Sequence, residues 1–279
     1  MSQAKRIVHL KQSGELLTDQ PGERWTPTAL RTAGERIAEV QKNAEELGVA
    51  GLMVVSGGGN VPDGFGRGAA LREKFGDDSP IARYADVIGR RSTIDNAIML
   101  SASLSDLSVP HLLLAAPGLE FSDTDLGLVA EYTPELVQTA YNEGKVVLIA
   151  GGSGKSNQTT DTAVVEYAMW QAKAQSGVPS IALKMTKYNG VFDNDPATHA
   201  DAKQYAALSA AFMLSDYERF RAVDRQCLEI LKQAGDDKLD VRLQVYAADY
   251  SIAQALEDEK LGTIISSIPT TQRNTASQL

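Results

Sequence analysis

Lys145-Val146-Val147-Leu148-Ile149-Ala150-Gly151-Gly152-Ser153-Gly154, followed shortly by Thr159-Thr160-Asp161-Thr162, is the stretch on which the fold turns. Its apolar half is a continuous run, the pattern of a strand covered on both faces. The glycines then allow a close backbone approach, and the threonines and aspartate suit the start of a helix over Thr160–Gln175. A strand, a small-residue loop and a helix in that order make one half of a parallel crossover unit. The motif invites a P-loop reading, which fails. A P-loop needs glycine five residues before its Gly-Lys pair, and that position is Ile149.

Working outward, the same alternation recurs. Strands are expected at Arg6–Leu10, Ala50–Val55, His111–Ala115, Lys145–Ala150, Ser180–Lys184, Val241–Tyr246 and Thr263–Ser266. Thr26-Pro27 supplies an N-cap and a first-turn proline, and Ala33, Ile37, Val40, Ala44 and Leu47 then recur at helical spacing. Further helices are expected at Ile81–Leu104, Pro134–Glu143, Glu218–Ala234 and Ser251–Glu257. Such alternation gives an α/β fold with a mainly parallel sheet and helices on both faces. Ligands in these folds collect at the carboxyl ends of the strands, so the loops there carry the chemistry.

Composition narrows the function. A net charge of −9 argues against nucleic acid as a main partner, because phosphate backbones want a basic face. Three histidines and one cysteine, Cys227, argue against a zinc site, and a lone cysteine fits a reducing compartment. No long uncharged apolar run suggests a membrane span, and Ile7–Leu10 is too short for a signal-peptide core. A cytoplasmic setting is the expectation.

Five segments carry candidate chemistry. Lys11-Gln12-Ser13-Gly14-Glu15 follows the first strand and offers a point charge beside a glycine; it also reads as ordinary surface. Ser56-Gly57-Gly58-Gly59-Asn60 reads as an anion-binding nest or as a flexible turn. In Thr159–Thr162 any side chain could cap the helix, while Asp161 could instead fix a lysine or a magnesium shell. Asp86, Gly89, Thr93 and Asn96 form one stripe of a helix. Alone, that stripe suits a solvated face; the mid-helix glycine is easier to understand where something packs against it. Thr186-Lys187-Tyr188-Asn189-Gly190-Val191-Phe192-Asp193-Asn194-Asp195-Pro196 is a turn with lysine and aromatic side chains.

Together these segments, Lys11–Glu15, Gly57–Asn60, Ala85–Asn96, Gly151–Ala163 and Thr186–Pro196, closed by Leu261-Gly262-Thr263, resemble bacterial-type UMP kinases of the amino-acid-kinase family. The resemblance runs from about Lys5 to Ile265. It implies a three-layer α/β/α sandwich in one domain over residues 1–268. An acceptor-side lobe would span about 1–170 and an ATP-side lobe about 171–268, followed by a polar tail at 269–279. It implies transfer of the ATP γ-phosphate to UMP with Mg²⁺ on the ATP, no metal held by the protein alone, and a homohexamer. Lys11 and Asp161 would be catalytic. Lys11, Ser13, Gly14, Gly59, Thr186, Lys187, Phe192 and Asp195 would bind ATP. Gly58, Arg67, Asp86, Ser153, Gly154, Thr159 and Thr160 would bind UMP.

The sequence departs from the family pattern in three places. Asp63-Gly64 stands where Arg-Gly is usual, with Arg67-Gly68 four residues later, so an insertion would make Arg67 the phosphate-binding arginine. Lys155-Ser156-Asn157-Gln158 replaces Asn-Pro-Phe-Phe, and Tyr188-Asn189-Gly190 replaces Val-Asp-Gly. Two alternatives follow: a same-fold kinase with another phosphorylated acceptor, and a non-catalytic anion- or nucleotide-binding relative.

Overall fold

The computed structural model describes residues 5–20, 23–59, 71–76, 79–119, 130–156, 158–220, 222–258 and 260–267. Arg67, Asp63 and the tail at 269–279 lie outside the described residues, as does the side chain of Asp86. The chain divides into two compact units. One comprises Lys11–Gln41 and Gly51–Ala163; the other comprises Met1–Leu10, Lys42–Ala50 and Val164–Leu279.

In the first unit the strand order is β4 (Ala130–Glu131), β3 (His111–Ala115), β5 (Val146–Ala150) and β2 (Val49–Ser56), the last entering from the other unit. Each neighbouring pair is parallel, with Leu113 opposite Leu148 and Val54 opposite Leu148 on the other side. All five residues of β5 are buried, the expected signature of a strand covered on both faces. Two helices pack against this part of the sheet. Helix α2 (Pro80–Asp106) starts with Ser79 accepting a bond from the Ile81 N–H and with proline in its first turn. Helix α3 (Pro134–Asn142) is capped by Thr133. Helix α1 (Pro27–Lys42) begins as its sequence suggests, with Thr26 Oγ1 accepting from the Ala29 N–H at 3.4 Å.

In the second unit the order is β1 (Arg6–Gln12, which runs on into the first unit), β6 (Ser180–Thr186), β10 (Val241–Ala247), β11 (Thr263–Ser266) and β9 (Ala207–Ser209). β6 and β10 are parallel, β10 and β11 antiparallel, and β11 and β9 parallel, so the sheet is mainly parallel with two reversed strands at this edge. A separate hairpin pairs β7 (Val191–Phe192) with β8 (Gln204–Tyr205). Helix α4 (Thr160–Ala174) starts in the first unit and ends in the second. Short α5 (Ala210–Ser215) and the longer α6 (Arg225–Asp236) follow. Helix α7 (Ile252–Glu257) carries a full capping box between Ser251 and Gln254.

The expected helix over Glu218–Ala234 is interrupted. Tyr217–Arg219 forms one 3-10 turn, and the α-helix begins only at Arg225. Phe220 turns fully inward, its ring 5.7 Å from Tyr205 and 5.5 Å from Phe212. Aromatic burial there outweighs the helical hydrogen bonds the segment gives up.

Candidate active site

The first unit gathers the loops that follow β1, β2 and β5. Lys11, near the end of β1, places its ammonium 3.4 Å from Asp161 Oδ1 in the first turn of α4. Both side chains are largely shielded, at 17% and 13% exposure, so water screens the pair poorly. A carboxylate in the first helical turn also favours the helix dipole, so Asp161 is held from two directions. Of the four residues read as possible caps, Thr159 takes the role: its Oγ1 accepts from the Thr162 N–H at 3.1 Å. Asp161 is thereby left to face the lysine.

Gly57 joins three elements. Its N–H donates to the Gln12 carbonyl at 2.7 Å, and a Cβ there would come within 3.5 Å of Thr160 Oγ1, Gln12 O and Gly14 N. Gly58 lies against α2: a Cβ would meet the Ser92 Cβ at 3.1 Å and the Gly89 carbonyl at 3.4 Å. Gly59 faces Glu15, and Ser13 precedes the 3-10 turn Gly14–Leu17. The glycine loop is therefore not a free turn, because at Gly57 and Gly58 an added Cβ would press on neighbouring atoms at 3.3 and 3.1 Å.

The stripe on α2 explains that contact. Thr93 and Asn96 are buried, and Asn96 Nδ2 donates to the Gly57 carbonyl at 2.7 Å while its Oδ1 accepts from Trp25 Nε1 at 2.7 Å. Both partners fix the amide orientation, since an indole N–H only donates and a carbonyl only accepts. The solvated-face reading is thus corrected for Thr93 and Asn96: the stripe seats the glycine loop. The neighbouring Asp95 binds Arg24 at 2.7 Å, and Arg24 lies over the Trp25 ring.

The loop after β5 is equally constrained. Gly151, Gly152 and Gly154 have φ of 95°, 64° and 76°, backbone that L side chains rarely adopt. Gly154 also sits hard against the Pro117 carbonyl, and Gly151 against Leu119. Ser153 is buried, with its Oγ accepting from the Lys155 N–H at 3.3 Å, and Arg90 Nη1 donates to the Gly154 carbonyl at 3.1 Å. Thr160 approaches Gly57 and Gly152.

The second unit carries the remaining predicted residues on one turn. Thr186 ends β6 and its Oγ1 donates to the Tyr188 carbonyl at 2.5 Å. Lys187 is exposed, its ammonium 5.3 Å from the Tyr188 ring centre, and Phe192 meets Tyr188 edge-on at 6.5 Å. Asp195 Oδ1 accepts from the Ala197 N–H at 2.9 Å. Thr263 holds the turn in place: its Oγ1 accepts from the Val191 N–H at 2.7 Å and donates to the Tyr205 carbonyl.

Sequence reasoning missed Arg90 and the seat formed by Arg24 and Trp25. For Arg90 a signal existed, since it stands four residues after Asp86, one helical turn on. For Trp25, nothing local points to Asn96, which lies 71 residues away.

A family model described as "Amino acid kinase family" matches residues 5–242. A uridylate kinase from Legionella pneumophila (strain Corby) is 30% identical over 267 residues, covering 94% of each chain. Among solved structures, the UMP kinase from Ureaplasma parvum superposes with a TM-score of 0.72 at 25% identity, over 95% of this chain and 99% of that one. The UMP kinase from Bacillus anthracis gives a TM-score of 0.74 at 23% identity, over 95% and 97%, and supports the fold alone.

Proposed function

The chain belongs to the amino acid kinase family, and on that premise we propose that it transfers the γ-phosphate of ATP to UMP, giving ADP and UDP for pyrimidine nucleotide synthesis. The observation that carries this reading is the Lys11–Asp161 pair, 3.4 Å apart beside the Gly57–Gly59 loop, in a chain whose curated relatives are uridylate kinases. Phosphoryl transfer asks the protein for positioning and charge neutralisation rather than a covalent nucleophile. A shielded lysine fixed by one carboxylate serves that need, and simple anion binding does not require the pair.

The division of labour follows. Lys11 offsets charge on the transferring phosphoryl group, and Asp161 orients Lys11. Ser13, Gly14 and Gly59 hold the ATP phosphates. Gly58, Arg67, Asp86, Ser153, Gly154, Thr159 and Thr160 take UMP. Thr186, Phe192 and Asp195 take the ATP nucleoside and Lys187 also binds ATP, assignments that rest on the resemblance. The donor set fits Mg²⁺ carried in on ATP, because Mg²⁺ takes one or two carboxylates plus water and phosphate oxygens, and Asp161 is a carboxylate at this centre. When bound, it would neutralise charge between the donor phosphates.

A homohexamer in the cytoplasm completes the proposal. Among the described residues no helix is long and apolar enough to cross a membrane. The rebuilt segment Lys155–Gln158 favours one second reading, a different phosphorylated acceptor. ADP release with Mg-ATP against UMP, CMP, AMP and non-nucleotide acceptors decides between them. UMP is expected to turn over best; a far better rate with another acceptor moves the assignment to the second reading.

A further inference from the structure

Two successive arginines on α2 have different fates. Arg91 is 79% exposed and lies 3.8 Å from the carboxylate of Asp95, one turn further along the helix. Arg90 is partly buried and turns to the loop after β5, where Nη1 donates to the Gly154 carbonyl at 3.1 Å. No carboxylate pairs with Arg90 among the described residues.

The bonded carbonyl belongs to a tight turn that only glycine readily adopts. Gly154 has a positive φ, its N–H donates to the Gly151 carbonyl at 3.1 Å, and it abuts the Pro117 carbonyl on the chain leaving β3. Arg90 holds the same residue from α2. That helix also carries Ser92, against which Gly58 rests, and Asn96, which binds the Gly57 carbonyl. One helix therefore touches both segments assigned to the acceptor, Gly58 through Ser92, two residues on from Arg90, and Gly154 through the Arg90 guanidinium.

We propose that Arg90 is a positioning residue for the phosphate acceptor: its bond to Gly154 sets the Ser153–Gly154 wall in register with the Gly57–Gly59 loop. The inference rests on the reading of Gly58, Ser153 and Gly154 as part of the acceptor site. A guanidinium suits the task because its fork is planar and always charged, and a charged donor makes a stronger bond to a carbonyl than a neutral one does.

The test compares the wild type with Arg90→Met and Arg90→Lys. Arg90→Met removes the donor and keeps the bulk. It should raise the acceptor KM about tenfold, the loss expected for one charge-assisted hydrogen bond, with the ATP KM unchanged and kcat little altered. Arg90→Lys, which keeps a charged donor, should recover most of the loss. Amide hydrogen exchange across Gly151–Lys155, measured without nucleotide, should speed up in Arg90→Met while α6 stays as it was. An unchanged acceptor KM, or equal rises for ATP and acceptor, overturns the proposal. A wild type that turns over no nucleoside monophosphate instead removes the functional reading; unaltered loop exchange in Arg90→Met then still refutes the role of Arg90.

Discussion

The Gly57–Gly59 loop and the Thr186–Asp195 turn are both assigned to nucleotide, yet they are anchored in opposite ways. Around the first, the polar groups are inside. Asn96 is fully buried under the Gly57 carbonyl, and the Lys11–Asp161 pair is mostly shielded. Around the second, the backbone is pinned by Thr263, but Lys187 and Asp195 project into solvent. Buried polar groups have no water to fall back on, so in the first region activity and stability share the same bonds. In the second a firm frame carries exposed side chains that can change without disturbing it.

The largest effect should come from the shielded pair. Lys11→Ala or Asp161→Asn is expected to lower kcat by about 10²–10³, the range for loss of one preorganised electrostatic group, while circular dichroism reports a folded chain. A residual rate close to wild type would remove the pair from the chemistry.

The contrast itself is tested by pairing Asn96→Ala with Lys187→Ala. Asn96→Ala strands a buried carbonyl and should cost about 1–3 kcal/mol in denaturant unfolding, with weaker nucleotide binding. Lys187→Ala should stay within about 0.5 kcal/mol of wild type, and only its ATP KM should rise. Equal stability losses would erase the distinction between the two regions.

The last effect concerns His9, on β1 in the second unit. It is fully buried, and desolvation lowers its pKa from 6.5 to about 3. The folded state keeps the ring neutral, so between those values the unfolded chain binds the extra proton and stability falls as pH falls. From pH 6.5 to 5 the loss attributable to this residue should approach about 1.4 kcal/mol per pH unit. Denaturant unfolding of wild type and His9→Leu over that range measures it; parallel slopes would show that His9 protonates without penalty.

Much of the architecture was legible before any coordinates. Strands β3 and β11 fall where the apolar runs place them, and β5 starts one residue late. Thr26 caps α1 and Ser251 caps α7 because capping is a contact within one turn. The short pieces β4, β7, β8 and β9 carry no periodic signal at two or three residues each. They exist because a partner strand is there to pair with, and local propensity does not report that.

The site divides along the same line. The chain by itself determined which residue types stand at the strand ends: a lysine at the end of β1, glycines after β2 and β5, an aspartate in the first turn of α4. Those follow from local rules on strands, turns and helix starts. Only the tertiary structure decided that the α2 stripe is buried rather than solvated, that Thr159 caps while Asp161 meets Lys11, and that Arg90 reaches Gly154 while Arg91 stays in solvent. Each depends on what lies across a gap of many residues, and the free energy of burying a polar group is set by that partner.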